Sequence, residues 1–228
     1  MKYYVSNPVL DAQIKEIRQK IRLSMNGITS DLMTQNGISY KKNYGVAIPR
    51  LKEIATAYTP NHDLAQRLWA LQIRETMILA TMLEPADRFT PEMANNWVED
   101  VDQIEIIELT CMNLLAKVSF ANLLCIDWMH SEKLQVQIAG YILAARVYTE
   151  LTAEEIETIT QKALLASNTN EFHLYKAVAL CLSRFCRRSK ETALRITNEL
   201  KASENATSPG HQFISDAVTQ EILYLSIL

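Results

Sequence analysis

The chain has 228 residues, of which 48% are hydrophobic and 21% charged, and its formal net charge is −3. This composition is that of a soluble globular protein, and the negative charge argues against strong nonspecific nucleic-acid binding while leaving room for a local basic patch. No run of about eighteen apolar residues occurs, so no membrane span is expected.

The N-terminal part of the chain predicts a series of short helices. Glycine (5) and proline (6) are scarce, which disfavours an all-β fold with many tight turns. Pro49 and Pro91 suit the first turn of a helix, where the missing N–H costs nothing, and Thr90 is placed to cap the second of these helices. Helices are predicted here over 10–24, 30–35, 49–58, 63–71, 73–83 and from Pro91 through Trp97.

Helices also follow one another through the rest of the chain. Thr152 and Glu155 form a capping box, which predicts a helix start at that point. The connections are short, so consecutive helices should be antiparallel neighbours in one domain over 1–228. The predicted helices are 104–116, 119–130, 133–149, 153–166, 171–188, 191–203 and 211–226.

The cysteines and the N-terminus predict a cytoplasmic protein. The N-terminal stretch is amphipathic and charged, unlike a signal peptide. The four cysteines lack zinc-type spacing and fall in apolar helical stripes, which favours buried, reduced thiols. They are Cys111, Cys125, Cys181 and Cys186.

A repeat in the C-terminal half predicts how the helices are arranged. Ala139, Ala177 and Ala217 each precede an apolar helical stripe, and they lie 38 and 40 positions apart. A period of about 40 is typical of stacked HEAT-like helix pairs, in which small residues let neighbouring helices approach closely. Gly140 lies inside one of these patterns, where a close packing point is expected. We therefore predict an all-α, HEAT-like or armadillo-type solenoid of antiparallel helix pairs.

The N-terminal half carries a motif that indicates a family. The segment 43–55 reads Asn-Tyr-Gly-Val-Ala-Ile-Pro-Arg-Leu-Lys-Glu-Ile-Ala, and Leu68-Trp69 and Arg74-Glu75 follow it. This succession resembles the DNA alkylation repair glycosylases of the AlkD type, which are built from HEAT-like repeats. The resemblance extends over about 44–185.

The resemblance implies a chemistry for the active members of that family. They excise N3- or N7-alkylated purines at a surface lined by aromatic residues and one carboxylate, without a metal or cofactor. The aromatic rings contact the cationic lesion, and the carboxylate stabilises an oxocarbenium-like transition state. An arginine holds the DNA backbone.

The residues that match these family positions have diverged. The carboxylate position falls on Glu108 in place of an aspartate, and the aromatic one turn earlier falls on Ile104. The second aromatic falls on Leu180 and the arginine on Ile138. A carboxylate without aromatic walls loses its positioning, so efficient excision by the family mechanism is not expected. Glu108 is the candidate catalytic residue, and a solvated glutamate near a helix start is its alternative.

Basic residues mark two candidate DNA-binding clusters. One cluster ends a predicted helix and begins the next, where the cations could equally satisfy the helix dipole. The other flanks Tyr44, and basic residues beside tyrosine can hold a nucleic-acid backbone. The candidate DNA-binding residues are Lys41, Lys42, Tyr44, Lys176, Arg184, Arg187, Arg188 and Lys190.

Three functions remain open at this point. The first is a DNA-binding member of the family with weak or absent excision, for which DNA is the partner. The second is a protein-interaction scaffold that has abandoned nucleic acid, which the net charge of −3 favours. The third is an active glycosylase that uses Glu108. No membrane partner, cofactor or metal site is expected, because neither a Gly-rich phosphate loop nor a metal-binding motif is present.

Overall fold

The structure, a computed structural model, describes residues 5–202 and 208–226, and all regular elements within these ranges are helical. Two single 3-10 turns, Ala86–Arg88 and Leu115–Lys117, interrupt the succession of α-helices. The thirteen α-helices of the described chain are α1 (Pro8–Leu23), α2 (Gly27–Gln35), α3 (Ile48–Ala55), α4 (His62–Ala70), α5 (Arg74–Leu83), α6 (Pro91–Glu99), α7 (Ile104–Asn113), α8 (Ala121–Trp128), α9 (Leu134–Arg146), α10 (Ala153–Ala166), α11 (Phe172–Cys186), α12 (Lys190–Ala202) and α13 (Pro209–Tyr224).

The helix starts follow the predicted capping chemistry. The Thr152 hydroxyl accepts from the Glu155 backbone N–H at 3.2 Å, and the Glu155 carboxylate accepts from the Thr152 N–H at 2.8 Å. Thr90 Oγ1 likewise accepts from the backbone N–H of Met93 in the first turn of α6. Each such bond satisfies a donor that has no partner inside its helix.

Most helix boundaries differ from the prediction by one to three residues, and α2 and α7 are two examples. Helix α2 begins at Gly27 rather than at residue 30, since the Asn26 side chain caps it by accepting from the Thr29 N–H. Helix α7 ends at Asn113, and the backbone leaves the helical region at Leu114. The predicted end of the helix 191–203 at residue 203 lies outside the described residues.

The chain divides into two compact units. Unit 1 comprises the residues up to Ala94 together with Glu105–Val118, and unit 2 comprises Asn95–Ile104 and the residues from Ser119 onwards. In unit 1, α5 packs against α3 and α4, and α1 packs against the same two helices. Nearly every residue of α5 is buried, so this helix forms the centre of the unit.

Unit 2 contains the stacked helix pairs that the repeat predicts. Helix α11 lies between α9 and α13, while α10 contacts α8 and α12 in a second row. Each helix of the second row packs on the next helix in the chain, giving the pairs α8/α9, α10/α11 and α12/α13. Ala139, Ala177 and Ala217 fall on α9, α11 and α13, so the predicted repeat is confirmed.

Gly140 is the close packing point that was predicted inside the repeat. A Cβ built at this position would lie 2.9 Å from the Cys125 carbonyl oxygen and 3.2 Å from the Met129 backbone nitrogen. Helices α8 and α9 therefore approach at a distance that only glycine permits.

The predicted fold class, an all-α solenoid of HEAT-like helix pairs, is confirmed. All four cysteines are buried and free, as expected. Burial raises the pKa of the Cys125 thiol to about 12, and the nearby Glu155 carboxylate contributes. None of the helices in the described ranges has the length and apolar character needed to cross a membrane. The single domain over 1–228 stays a prediction.

Candidate nucleic-acid interface

The loop before α3 carries three of the predicted DNA-binding residues, and a buried carboxylate holds it in place. Glu75, on α5, is fully buried. Its carboxylate accepts from the backbone N–H groups of Tyr44, at 3.1 Å, and Val46, at 3.2 Å. Hydrogen bonds to an ionised acceptor are stronger than neutral ones, so the backbone of this loop is fixed from within the core.

One arginine neutralises this carboxylate and a second one. The Arg74 guanidinium donates to Glu75 at 3.1 Å and to both carboxylate oxygens of Glu105, at 2.7 and 2.6 Å. Tyr40 also donates to Glu105 at 2.6 Å. Burial alone would raise the pKa of Glu105, but the bonds from Arg74 and Tyr40 outweigh it and hold that pKa below its ordinary value. The Arg74-Glu75 pair of the sequence motif is thus an internal clamp.

The glycine of the same motif is required by its backbone. Gly45 has φ of +67°, in the left-handed region that favours glycine. A Cβ at this position would lie only 2.2 Å from the Asn26 carbonyl oxygen. The loop can therefore pass beside α2 only with glycine at position 45.

The loop presents its cations to solvent. Lys41 is exposed, and no described residue pairs with it. The Lys42 ammonium lies 5.1 Å from the centre of the Tyr44 ring, which is cation–π geometry. The structure thus brings Lys41, Lys42 and Tyr44 together on one clamped loop of unit 1.

In unit 2, two of the predicted DNA-binding arginines donate hydrogen bonds to other residues of the protein. Arg187 Nε donates to Glu221 on α13 at 2.6 Å. Arg188 Nη1 donates to the backbone carbonyl oxygens of Tyr148 and Thr149, at 3.1 and 2.6 Å. Both side chains are at least partly committed to holding helix ends together, while Lys190, at the start of α12, is exposed and has no described partner.

The remaining predicted arginine lies in a small pocket with an arginine that the sequence reasoning missed. Arg184 on α11 and Arg146 at the end of α9 both line a cavity of about 230 Å³, and neither forms a hydrogen bond or ion pair with a described residue. Ala145, Tyr148 and Leu180 complete the lining. Two unpaired guanidinium groups beside one cavity form a site suited to a phosphate.

Arg146 could have been found from the repeat. Arg146 and Arg184 are 38 positions apart, the same spacing that separates Ala139 from Ala177. Equivalent positions of neighbouring repeats are expected on neighbouring helices, and α9 packs against α11. The two arginines therefore meet because they occupy the same place in successive helix pairs.

The positions aligned with the family's chemistry have different environments. Glu108 is exposed on α7, one turn after the half-buried Ile104, and its carboxylate forms no hydrogen bond or ion pair with a described residue. Ile138 is buried in α9 with 2% of its surface exposed, so it is a packing residue. Leu180 contributes an aliphatic wall to the arginine pocket. The assignment of Glu108 as catalytic stays a prediction.

Lys176 belongs to an exposed aromatic cluster. Its ammonium lies 5.0 Å from the centre of the Phe172 ring. Phe172 packs edge to face on Tyr175 at 5.5 Å, and Tyr175 lies 5.1 Å from Phe213 on α13. Phe172 and Phe213 keep 52% and 40% of their surface exposed.

Comparison with known proteins gives a family match and a structural match. A family model described as DNA alkylation repair enzyme matches residues 17–196. One solved structure is described as belonging to a new family of proteins related to the HEAT-like repeat DNA glycosylases with affinity for branched DNA structures. It superposes with a TM-score of 0.79 at 14% sequence identity, covering 93% of this chain and 95% of that chain, and this likeness shows the fold. No curated protein matches the chain.

Proposed function

Because the chain belongs to the DNA alkylation repair enzyme family, we propose that it binds DNA through the Arg146–Arg184 pocket and excises alkylated bases weakly or not at all. The unpaired guanidinium groups around the pocket are the observation that carries this proposal. Arginine presents a planar set of donors that matches phosphate oxygens, and Tyr148 adds a polar aromatic side chain to the same rim.

The hydrogen bonds that the arginines of unit 2 already form support this choice of site. Arg187 and Arg188 already donate to Glu221 and to backbone carbonyl oxygens. Arg146 and Arg184 have no such bonds among the described residues, so their donors are available to a ligand. A pocket of about 230 Å³ has room for a phosphate group but is small for a flipped purine nucleotide.

The family mechanism lacks support at the aligned residues. Excision requires aromatic walls around the cationic base and a positioned carboxylate. Ile104 and Leu180 are aliphatic, and Glu108 is exposed and forms no hydrogen bond or ion pair with a described residue that would fix its orientation. The structural relative is described as having affinity for branched DNA, which supports branched DNA as the substrate class to test first.

The experiment is a salt titration of DNA binding by fluorescence anisotropy, on a duplex and on a three-way junction of equal strand length. Each phosphate contact contributes about −0.9 to the slope of log K against log salt for duplex DNA. The double substitution Arg146→Gln with Arg184→Gln should therefore make the slope less negative by about 1.8. An unchanged slope would rule out the pocket as the DNA contact.

Arg187→Gln is the matched control. It removes one positive charge from the same end of α11, but Arg187 is already bonded to Glu221. Arg184→Gln alone should make the slope of log K against log salt less negative by about 0.9. The change caused by Arg187→Gln should be smaller.

The exposed aromatic cluster favours a second function, a protein-interaction scaffold. Aromatic side chains are enriched at protein interfaces, and the half-buried Tyr175 joins the exposed rings of Phe172 and Phe213 in one group. If the wild-type protein shows no salt-sensitive DNA binding at low ionic strength, the DNA-binding function is wrong and the scaffold function is the one to test.

A further inference from the structure

A stripe of cations follows one face of α1, in unit 1. Lys15, Arg18 and Arg22 are spaced by three and four positions, so their side chains are neighbours on the helix surface. Like charges at this spacing repel each other and destabilise an isolated helix. Arg22 lies in the last turn, where the helix dipole favours a cation, but Lys15 and Arg18 lie in the middle of the helix and gain nothing from it.

The carboxylates of α1 do not neutralise this stripe. Glu16 pairs with Lys20 at 2.7 Å, and Asp11 pairs with Arg67 at 3.2 Å. Lys15 and Arg18 form no bond with any described residue, and the Nε atom of Arg18 is buried without a hydrogen-bond partner. A buried guanidinium donor without an acceptor is costly unless a ligand or water supplies one.

The stripe lines a recess. The recess has a volume of about 460 Å³, larger than the cavity beside Arg146 and Arg184. Its described lining comes from α1, namely Asp11, Ile14, Lys15, Arg18, Gln19 and Arg22.

The clamped loop extends the stripe beyond α1. Burial alone would raise the pKa of Tyr44, but the cationic side chains of Lys42 and Arg22 beside its hydroxyl outweigh burial and lower that pKa. Arg22, Lys42 and Tyr44 therefore form one cluster at the C-terminal end of α1. Because Glu75 fixes the Tyr44 backbone from the core, this cluster is preorganised.

We propose that Lys15, Arg18 and Arg22, together with Lys42 and Tyr44, form a second surface for the phosphate backbone of DNA, separate from the pocket of unit 2. This inference rests on the proposed DNA-binding function. From Lys15 to Arg22 the stripe covers about 10 Å of helix axis. Duplex DNA carries one negative charge per about 1.7 Å, so the stripe spans several backbone charges rather than a single anion.

The same helix is poorly suited to a membrane surface. An interfacial helix inserts its apolar face into the lipid, but the apolar face of α1 is buried in unit 1 through Leu10, Ile17 and Ile21. The exposed apolar residues Val9 and Leu23 lie on a different face from the cations. A polyanion that contacts only the charged face fits this arrangement better.

The test is the double substitution Lys15→Gln with Arg18→Gln. Neither side chain forms a hydrogen bond or ion pair with a described residue, so both can change without loss of such a bond. In salt titrations with a three-way junction, the slope of log K against log salt should become less negative by about 1.8. The charge-matched control is Lys117→Gln with Lys201→Gln, two exposed lysines without a described partner, and its slope should stay within error of the wild type.

The outcomes separate this inference from the proposed function. If the α1 variant keeps the wild-type slope while Arg146→Gln with Arg184→Gln reduces it, the α1 surface is wrong and the pocket stands. If the α1 variant alone reduces the slope, the α1 surface stands and the pocket is wrong. If the wild type binds neither duplex nor junction, both fail. Wild-type binding to vesicles of anionic lipid that the α1 variant loses, with DNA binding unchanged, would overturn the inference in favour of a membrane contact.

Discussion

Arg74 and Glu105 are joined by two parallel hydrogen bonds of 2.7 and 2.6 Å, although 31 positions separate them in the sequence. The same guanidinium contacts Glu75, the carboxylate that holds the backbone of the Tyr44 loop. One arginine therefore balances two carboxylates and links α5, α7 and a candidate DNA-binding loop. The stability of the loop and of unit 1 should depend on it.

Replacing Arg74 by methionine should destabilise the protein strongly. The change keeps the volume of the side chain but leaves Glu75 and Glu105 without their cation. Breaking a buried ion pair from one side costs about 3–5 kcal/mol of unfolding free energy, and the lower end applies because the Glu105 side chain is 29% exposed. Urea unfolding measures the change.

The control for this substitution is Arg50→Met. Arg50 pairs with Glu53, and both side chains are more than half exposed. Exposed pairs contribute at most about 1 kcal/mol, so this variant should stay within that range of the wild type. Equal losses in the two variants would show that the Arg74 network is not a clamp.

The Arg74–Glu105 pair should also make stability depend on acid pH. The pKa of Glu105 lies below its ordinary value of 4.5 in the folded protein, so the unfolded chain takes up the proton first as the pH falls. The contribution of Glu105 to the free energy of unfolding is therefore complete at pH values above about 4.5. It is lost as the pH falls through the lowered pKa that Glu105 has in the folded protein. The stability difference between wild type and Glu105→Gln should be larger at pH 7 than at pH 3. Urea unfolding of both proteins at pH 7 and pH 3 measures this difference, and an equal difference at the two pH values would contradict the account.

Gly45→Ala should cost more stability than Gly37→Ala. Both glycines have positive φ, which costs an alanine about 1–2 kcal/mol. A Cβ at position 37 would meet open space, whereas one at position 45 would collide with the Asn26 carbonyl oxygen. The comparison therefore isolates the collision from the backbone strain. Thermal unfolding of the two variants measures it, and equal losses would mean that the loop can move away from α2.

Glu108→Gln should leave base release unchanged. The Glu108 side chain is exposed, and the aligned positions that would supply the aromatic walls hold Ile104 and Leu180. Release of free methylated purine from alkylated duplex DNA should be at background for the wild type and for the variant. Release by the wild type that falls at least about tenfold in the variant, a change of about 1.4 kcal/mol in the barrier, would establish Glu108 as catalytic.

Helices, caps and the 38–40-residue repeat were predictable from the sequence because they depend on local information. Apolar residues at helical spacing, a capping box at Thr152 and Glu155, and proline in a first turn each act within a few residues of the chain. The family motif was also visible. The reason for its glycine was not, because the Asn26 carbonyl oxygen that excludes a side chain at Gly45 belongs to another element.

Which arginines are available to a ligand was decided by the tertiary structure. Arg184 and Arg187 are the same residue type at the same end of α11. Arg187 is bonded to Glu221, 34 positions away, whereas Arg184 lines a pocket with Arg146. Availability of a charge depends on the partners that packing brings to it, and those partners come from neighbouring helices rather than from neighbouring residues. The sequence thus determined where the helices form and repeat, and the packing of those helices determined which cations remain unpaired.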